Sequence, residues 1–385
     1  MVEPIPRRRS PLEQIRMRIE DAILGWRDRK LADPVFQRWA SRFPLTRRVA
    51  TRRAQAAFDL CAGFVYSQAL LATMRCGLLA CVSKGPVAME DAIAATGLGA
   101  DRARLLIDAA MALDLVEARA GGRVGLGSLG AAISANSGVA AMVEHHGMVY
   151  SDLADPVALL QGRADVSGLR RFWPYAGEDD EFSVVADDAA RYSALMTASQ
   201  AMLAEDIIAA YPFARHKSVL DIGGGEGAFL TALGRSVPGL ALTLLDLPPV
   251  AARAAAGFEV AGFGARARAI GGSFADGRLP AGHDLMTLVR VAHDHDDSVL
   301  VPLLRNIHAS LEPGGVLLVA EPMAGVAQSR RVADVYFAFY LLAMGSGQPR
   351  SFERFRDLLR DAGFTDVRRV PTARPMLVSM LSARR

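Results

Sequence analysis

The chain has 385 residues, 51% of them apolar, and a net charge of +3. That length exceeds a typical single domain, and that apolar content excludes a disordered or low-complexity polymer. The charge is lopsided: residues 1–55 carry fourteen Arg/Lys against six Asp/Glu, a local +8, while the other 330 residues carry −5, which argues against nucleic acid as a partner.

Residues 1–57 read as a basic amphipathic arm. The opening MVEPIPRRRS has arginines with no apolar signal core behind them, so secretion is not expected. IRMRIEDAILGWRDRK and FQRWASRFPLTRRVATRR mix Arg with apolar positions, the pattern of short helices with one basic face. Two uses compete. The arm wraps a partner subunit in a homodimer, or it rests peripherally on an anionic membrane with Trp26 and Trp39 at the interface.

Residues 58–185 read as a winged-helix-like dimerisation domain with connecting helices. Leu60 to Met74 is its most apolar stretch; it contains Ser67, Gln68 and Thr73 and stops at Arg75, too short and polar for a membrane span of about 20 residues. Cys61, Cys76 and Cys81 are odd in number, lack zinc spacing and sit among apolar residues, so buried reduced thiols in a cytoplasmic protein are expected. A turn at Lys84-Gly85-Pro86, two helices joined at Thr96-Gly97-Leu98 and a hairpin around Arg123–Leu126 give the winged-helix order. The charges of Asp101, Arg102, Arg104 and Asp108 nearly cancel, which suits packing rather than DNA. Residues 136–190 read as irregular, with Phe172, Trp173 and Tyr175 beside the acidic Glu178–Glu181 segment, and a helix is expected from about Asp187 to Ala210.

Residues 186–385 read as the catalytic domain. From Ser218 onward, short apolar runs alternate with helical stretches, which predicts an α/β doubly wound, Rossmann-like parallel sheet. The runs are Ser218–Ile222, Leu240–Asp246, Ala267–Gly271, Asp284–Arg290 and Gly315–Glu321, with two more near Val367 and Met376–Leu381. The first ends in Asp221-Ile222-Gly223-Gly224-Gly225-Glu226-Gly227, where Gly223, Gly225 and Gly227 let the backbone turn sharply and a ligand press close. A dinucleotide fingerprint scans similarly. Asp221 just before the glycines suits a ligand with a cationic amino-acid end and is badly placed beside a pyrophosphate, so S-adenosylmethionine is the better fit. Asp246, about 20 residues on and followed by Leu247-Pro248, suits two ribose hydroxyls. Ser273 and Phe274 end the third strand, where they suit adenine, and Arg290 ends the fourth and joins the cofactor-binding set.

The fourth strand runs into His293-Asp294-His295-Asp296-Asp297. Neighbours in sequence splay apart and no third cluster supplies missing ligands, so no metal is expected. His293 at the carboxyl edge of the sheet reads as a general base, with Asp296 and Asp297 starting the next helix as N-cap and first-turn residues. Leu311–Gly315 reads as a helix end and tight turn before the fifth strand, which delivers Glu321 to the same edge, where a carboxylate can orient the imidazole.

In order and spacing, DIGGGEG, LLDLP, RVAHDHDD, LEPGG and RSFERFRDLLRDAGF resemble the small-molecule O-methyltransferases that include the plant phenolic and acetylserotonin enzymes, over roughly residues 58–382. The resemblance implies that the glycine motif and Asp246 bind S-adenosylmethionine, which leaves as S-adenosylhomocysteine, that His293 is the base and that Glu321 orients it. Three positions depart: the tryptophan after HD is His295, the acidic residue after the third-strand glycines is Ser273, and a second glutamate is replaced near Gln348-Pro349, leaving orientation to Glu321 alone. Within that class the chain is most similar to the carotenoid hydroxyl methyltransferases of purple phototrophic bacteria, through LADPVFQRWASRFPLTRRVA, FDLCAGFVYSQALLA and RFWPYAGEDDEFSVVADDAARYSALMTASQ. That similarity implies a lipophilic substrate, the tertiary 1-hydroxyl of an acyclic carotenoid such as demethylspheroidene. It also implies a place in carotenoid biosynthesis for photosynthesis, in the cytoplasm or peripherally on the photosynthetic or inner membrane. Met142, Met148, Met196, Met202, Phe337, Phe339 and Met344 would suit such a substrate. Rival readings are a bacteriochlorophyllide C-methyltransferase, a phenolic O-methyltransferase, a degenerate non-catalytic regulator and a nicotinamide enzyme.

Overall fold

The structure, a computed structural model, describes residues 10–163, 167–172, 200 and 203–385. Trp173, Tyr175, Glu178–Glu181, Met196, Met202, the side chain of Phe172 and most of the helix expected over 187–210 lie outside the described residues.

Two compact units divide the chain, Met1–Ala72 and Thr73–Arg385. The expected border at 57/58 falls inside a continuous helix, and the one at 185/186 lies outside the described residues. In the first unit, α1 (Pro11–Ala32) starts on a capping box, in which the Ser10 side chain and Glu13 each accept from the other's backbone amide. Its apolar positions Leu12, Ile15, Ile19, Ile23 and Trp26 recur at helical spacing and are exposed. Helix α2 (Pro34–Arg42) stacks Trp39 on Phe43. Helix α3 (Arg47–Arg75) is 29 residues long, and by length and composition it could cross a membrane. The shorter span expected from Leu60–Met74 missed this because Ala54, Ala56 and Ala57 prolong the helix upstream. Cys61 is exposed and Cys76 and Cys81 are half-buried, which corrects the buried thiols: Cys61 lies on the largely exposed middle of α3, Cys76 in the turn after it and Cys81 in the next short helix, so the three share no face.

The second unit continues with α4 (Leu78–Val82), β1 (Val87–Ala88), α5 (Met89–Ala95), α6 (Ala100–Ala112), and the hairpin β2 (Val116–Arg119) and β3 (Arg123–Leu126). The three strands pair in the order β1-β3-β2. Then come α7 (Ser128–Ser134), α8 (Ser137–Asp152), α9 (Pro156–Leu160) and α10 (Gly168–Phe172). The irregularity expected from residue 136 is thus replaced by a 16-residue helix, capped by the Asn136 side chain, whose glycines 138 and 147 mask it in sequence. Val149 of α8 and Leu169 of α10 share a buried cluster with Tyr340, Leu341 and Met344.

A seven-stranded sheet follows: β4 (Ser218–Ile222), β5 (Ala241–Asp246), β6 (Ala267–Gly271), β7 (His283–Val289), β8 (Leu311–Glu321), β9 (Thr365–Val370) and β10 (Ser379–Arg384), in the order β6-β5-β4-β7-β8-β10-β9. A helix over 203–210, α12 (Ala228–Ser236), α13 (Pro248–Val260), α14 (Asp297–Ser310), α15 (Ala338–Met344) and α16 (Phe352–Asp361) complete it, the first of these being α11. The central strands are nearly continuous apolar runs because both faces are covered. Leu220, Met286, Leu288, Leu317 and Val319 face α14 and α16, while Val219, Leu285, Val289 and Leu318 face α11, α12 and α13. Strand β10 runs antiparallel to both neighbours. Only residues 371–378 link it to β9, too few for the crossover a parallel strand needs, so the fully parallel expectation fails at that edge. Strand β8 starts directly at Leu311, with the Pro313-Gly314-Gly315 turn absorbed as a register shift against β7.

Candidate functional site at the carboxyl edge of the sheet

Strand β4 delivers Asp221 beneath the glycine turn. The side chain is buried; Thr287 Oγ1 donates to its Oδ1 at 2.6 Å, and Oδ2 has no hydrogen-bond partner. Burial is the main reason the carboxyl titrates near pH 7, with the charge of Asp246 adding to it and the Thr287 bond opposing it. Gly224 is needed here, since a Cβ would sit 2.7 Å from Asp221 Oδ2. Gly225 has φ +59, and a Cβ there would meet nothing nearer than Gln200 Nε2 at 3.9 Å, a cradle for a ligand. Gly223 and Gly227 also take positive φ.

Strand β5 ends on Asp246, whose two oxygens accept from Gly225 N (2.8 Å) and Leu247 N (2.7 Å). The two aspartates therefore flank one glycine turn. At the end of β6, Ser273 caps a short turn through its Oγ and Ala275 N, and Phe274 lies edge-on to the His295 ring at 5.1 Å. Arg290 leaves β7 with φ +56, and its guanidinium lies 5.4 Å from the Phe337 ring centre.

His293, 3% exposed, sits in a short turn after β7. Its Nδ1 bonds the Glu321 carboxylate, and its Nε2 lies 3.1 Å from Asp294 Oδ1. The other Glu321 oxygen accepts from Val291 N (3.0 Å) and Ala292 N (2.7 Å), so the carboxylate is fixed by the loop it orients. Burial alone would lower the imidazole's affinity for a proton; the carboxylates of Asp294 and Glu321 outweigh it and hold the pKa above its ordinary value. Burial pushes Asp294 up to about 6. His295 is pushed down to about 4 by burial and by the charge on His293.

The acidic run splays. Asp296 is the N-cap residue of α14 and Asp297 lies in its first turn, as expected, but the Asp296 side chain accepts from Gly347 N (3.1 Å) and makes no cap bond. Asp297 pairs with Arg350 and Arg354. Among the described residues no group of three His, Cys, Asp or Glu could hold a metal. The Gln348-Pro349 segment brings backbone instead of a carboxylate: Gln348 N donates to the His293 carbonyl at 2.9 Å. Sequence reasoning missed three residues here. Thr287 looks like any strand threonine, and Asp294 like part of a run. Arg350, 2% exposed, donates to the carbonyls of Ala292 (2.6 Å) and His295 (2.7 Å) from 55 or more positions away.

Residues 150–365 match the O-methyltransferase domain family. The chain is 42% identical over 351 residues to the demethylspheroidene O-methyltransferase of Cereibacter sphaeroides, covering 90% of this chain and 91% of that protein. It is 43% identical to the Rhodobacter capsulatus enzyme of the same name, over 89% and 85% of the two chains. Rat acetylserotonin O-methyltransferase is 29% identical, over 80% and 72%. Among solved structures, the calicheamicin-biosynthesis methyltransferase CalO1 with S-adenosylhomocysteine bound and the S-adenosylmethionine-dependent methyltransferase SibL are each 25% identical, with TM-scores of 0.70 and 0.71, covering 86% of this chain and 98% of theirs. A doubly wound sheet with a carboxylate-flanked glycine turn, matched over most of its length by such enzymes, means that this chain belongs to the O-methyltransferase domain family and is an S-adenosylmethionine-dependent enzyme of that class.

Proposed function

We propose that the chain methylates the tertiary 1-hydroxyl of an acyclic carotenoid of the demethylspheroidene or hydroxyneurosporene type, with His293 as general base. The observation that carries the reading is the buried His293–Glu321 pair at the sheet edge that holds the glycine turn; the two relatives named for that substrate supply its chemical class. The residues fit the cofactor: a buried carboxylate oxygen lacks a partner in the cradle, and its free position suits an ammonium group. Asp221, Gly223, Gly225 and Gly227 would hold the amino-acid end, Asp246 and Leu247 the ribose, Ser273 and Phe274 the adenine, with Arg290 closing the site. S-adenosylmethionine, when bound, supplies an electrophilic methyl on a cationic sulfur.

The chain's own groups do the rest. A tertiary alcohol is too weak an acid to ionise in advance, so His293 takes its proton as the C–O bond forms. Assistance of this kind is worth about 10²–10⁴-fold. Glu321, accepting from Nδ1–H, leaves the lone pair on Nε2, beside Asp294 Oδ1 at 3.1 Å, to take the substrate's proton. Asp294 stabilises the imidazolium once Nε2 is protonated.

The test is to incubate the purified enzyme and labelled cofactor with the carotenoid alcohol, a phenol and a tetrapyrrole. Methyl transfer to the carotenoid oxygen is expected, falling about 10²–10⁴-fold in His293→Ala with cofactor affinity kept. Transfer to the phenol or tetrapyrrole alone, or intact turnover in His293→Ala, would sink the reading. The same proposal makes the enzyme a homodimer that works in the cytoplasm, touching the photosynthetic or inner membrane through its basic arm. Support comes from the exposed stripe of α1 and from Arg38, Arg42, Arg47 and Arg48 beside exposed Trp39, Phe43 and Val49. Sedimentation with phosphatidylglycerol vesicles, and light scattering without them, measure the two contacts separately.

A further inference from the structure

Four side chains away from the glycine turn form a paired arrangement that the mechanism leaves unused. His145 and His146 are consecutive on α8. Tyr336 and Tyr340 lie one turn apart, where the π-turn Val332–Phe337 passes into α15. His145 Nε2 is 2.8 Å from the Tyr340 hydroxyl, and His146 Nε2 is 3.0 Å from the Tyr336 hydroxyl. The two tyrosine rings stack with centroids 5.9 Å apart. Tyr336 meets Phe337 edge-on at 5.2 Å, and Phe337 meets His293 edge-on at 5.6 Å. An unbroken series of ring contacts therefore joins α8 to the base. Tyr336 lies in the π-turn and Tyr340 just beyond it, so two adjacent histidines each meet a different tyrosine, and such turns concentrate at functional sites. Burial keeps both α8 histidines uncharged, His145 down to about 4, and pushes the Tyr336 hydroxyl up to about 12.

We propose that the His145–Tyr340 and His146–Tyr336 pairs are the specificity element of the alcohol site: by committing their polar atoms to each other, they hold Tyr340, Tyr336 and Phe337 as an uncharged aromatic wall that admits an extended apolar alcohol to His293 and offers a polar one no hydrogen bond. The inference rests on His293 serving an alcohol. Each pair positions rings and touches no reacting atom. His146→Leu strands the Tyr336 hydroxyl in a half-buried place, so the ring must turn to find water, and the wall loses its first member.

The test compares wild type, His146→Leu, Tyr336→Phe and His146→Gln, each loaded with S-adenosylhomocysteine for binding or S-adenosylmethionine for turnover. One reading is the absorption shift of a long polyene tertiary alcohol on binding. The other is the ratio of kcat/KM for that alcohol to kcat/KM for a short tertiary alcohol with the same head. The Leu and Phe variants should lower the ratio about tenfold, chiefly through the polyene's KM, and weaken its binding as much, the effect of one net hydrogen bond. His146→Gln, which keeps an acceptor for the tyrosine, should retain both. Equal losses on the two alcohols, or unchanged polyene binding, overturn the proposal. If wild type binds the polyene but methylates neither alcohol, the base assignment fails and the wall survives; if it does not bind the polyene, the wall fails. Should His146→Leu not fold, judged by S-adenosylhomocysteine affinity, Tyr336→Phe decides.

Discussion

The carboxyl of Asp221 is the most sharply testable group in the structure. Its pKa rises from 3.8 to about 7 in the ligand-free fold, chiefly because it is buried. Ionising it there costs on the order of 4 kcal/mol, at 1.36 kcal/mol per unit. The stability contributed by the neutral form is full below the unfolded pKa and is lost as pH rises through about 7. A cationic amine docked on Oδ2 reverses this by favouring the carboxylate, so binding S-adenosylhomocysteine should expel a proton. With a free-state pKa of about 7, the release is about 0.9 protons at pH 6 and about 0.5 at pH 7, and affinity weakens about tenfold for each pH unit below 6. Isothermal titration calorimetry in two buffers of different ionisation enthalpy counts those protons. Asp221→Asn corrects for the ligand's own amine and should release none. A wild-type proton count that is flat between pH 6 and 7, or equal to that of Asp221→Asn, would refute the assignment.

Other consequences follow from the loop around the base. Because His293 must be neutral to accept a proton, and its pKa lies above 6.5, kcat should climb with pH through that region; Glu321→Gln should move the climb to lower pH and reduce the plateau at least tenfold, read from a kcat–pH profile. Arg350→Lys removes the fork that bonds two loop carbonyls and Asp297 at once; a loss of about 3–5 kcal/mol in denaturant unfolding is expected. Turnover should fall with it. Gly347→Ala forces a Cβ to 2.2 Å from the His293 carbonyl at φ +81, so kcat should drop about 10²-fold while calorimetry shows S-adenosylhomocysteine affinity kept.

Strand ends are legible in sequence because a buried parallel strand is an apolar run, and the first polar residue after it marks the carboxyl edge. Asp221, Asp246, Arg290 and Glu321 all surface that way. What the sequence hides is whatever depends on a chain folding back. Asp294 meets the same imidazole as Glu321 only because the turn Ala292–Asp294 curls a neighbour around the ring. Arg350 reads as one arginine among many until its burial against Ala292 and His295 is seen. The direction of β10 depends on the length of a linker without a helix, and α8 on a cap that offsets its two glycines.

In the proposed reaction, methyl transfer to an alcohol through His293 would remove a positive charge from one end of the site and create another on the imidazole. The structure provides carboxylates at both ends: buried Asp221 and Asp246 around the glycine turn, buried Glu321 and half-buried Asp294 around His293. Net charge summed over the two ends is therefore unchanged by the transfer, and each end holds carboxylates beside the positive charge it carries. A regulator that only bound the cofactor would need the first pair and have no use for the second. Glu321→Leu, which leaves the imidazole but deletes its compensating charge, should then suppress methyl transfer while cofactor affinity stays at the wild-type value. Equal loss of both would mean that the second pair serves the fold and not the chemistry.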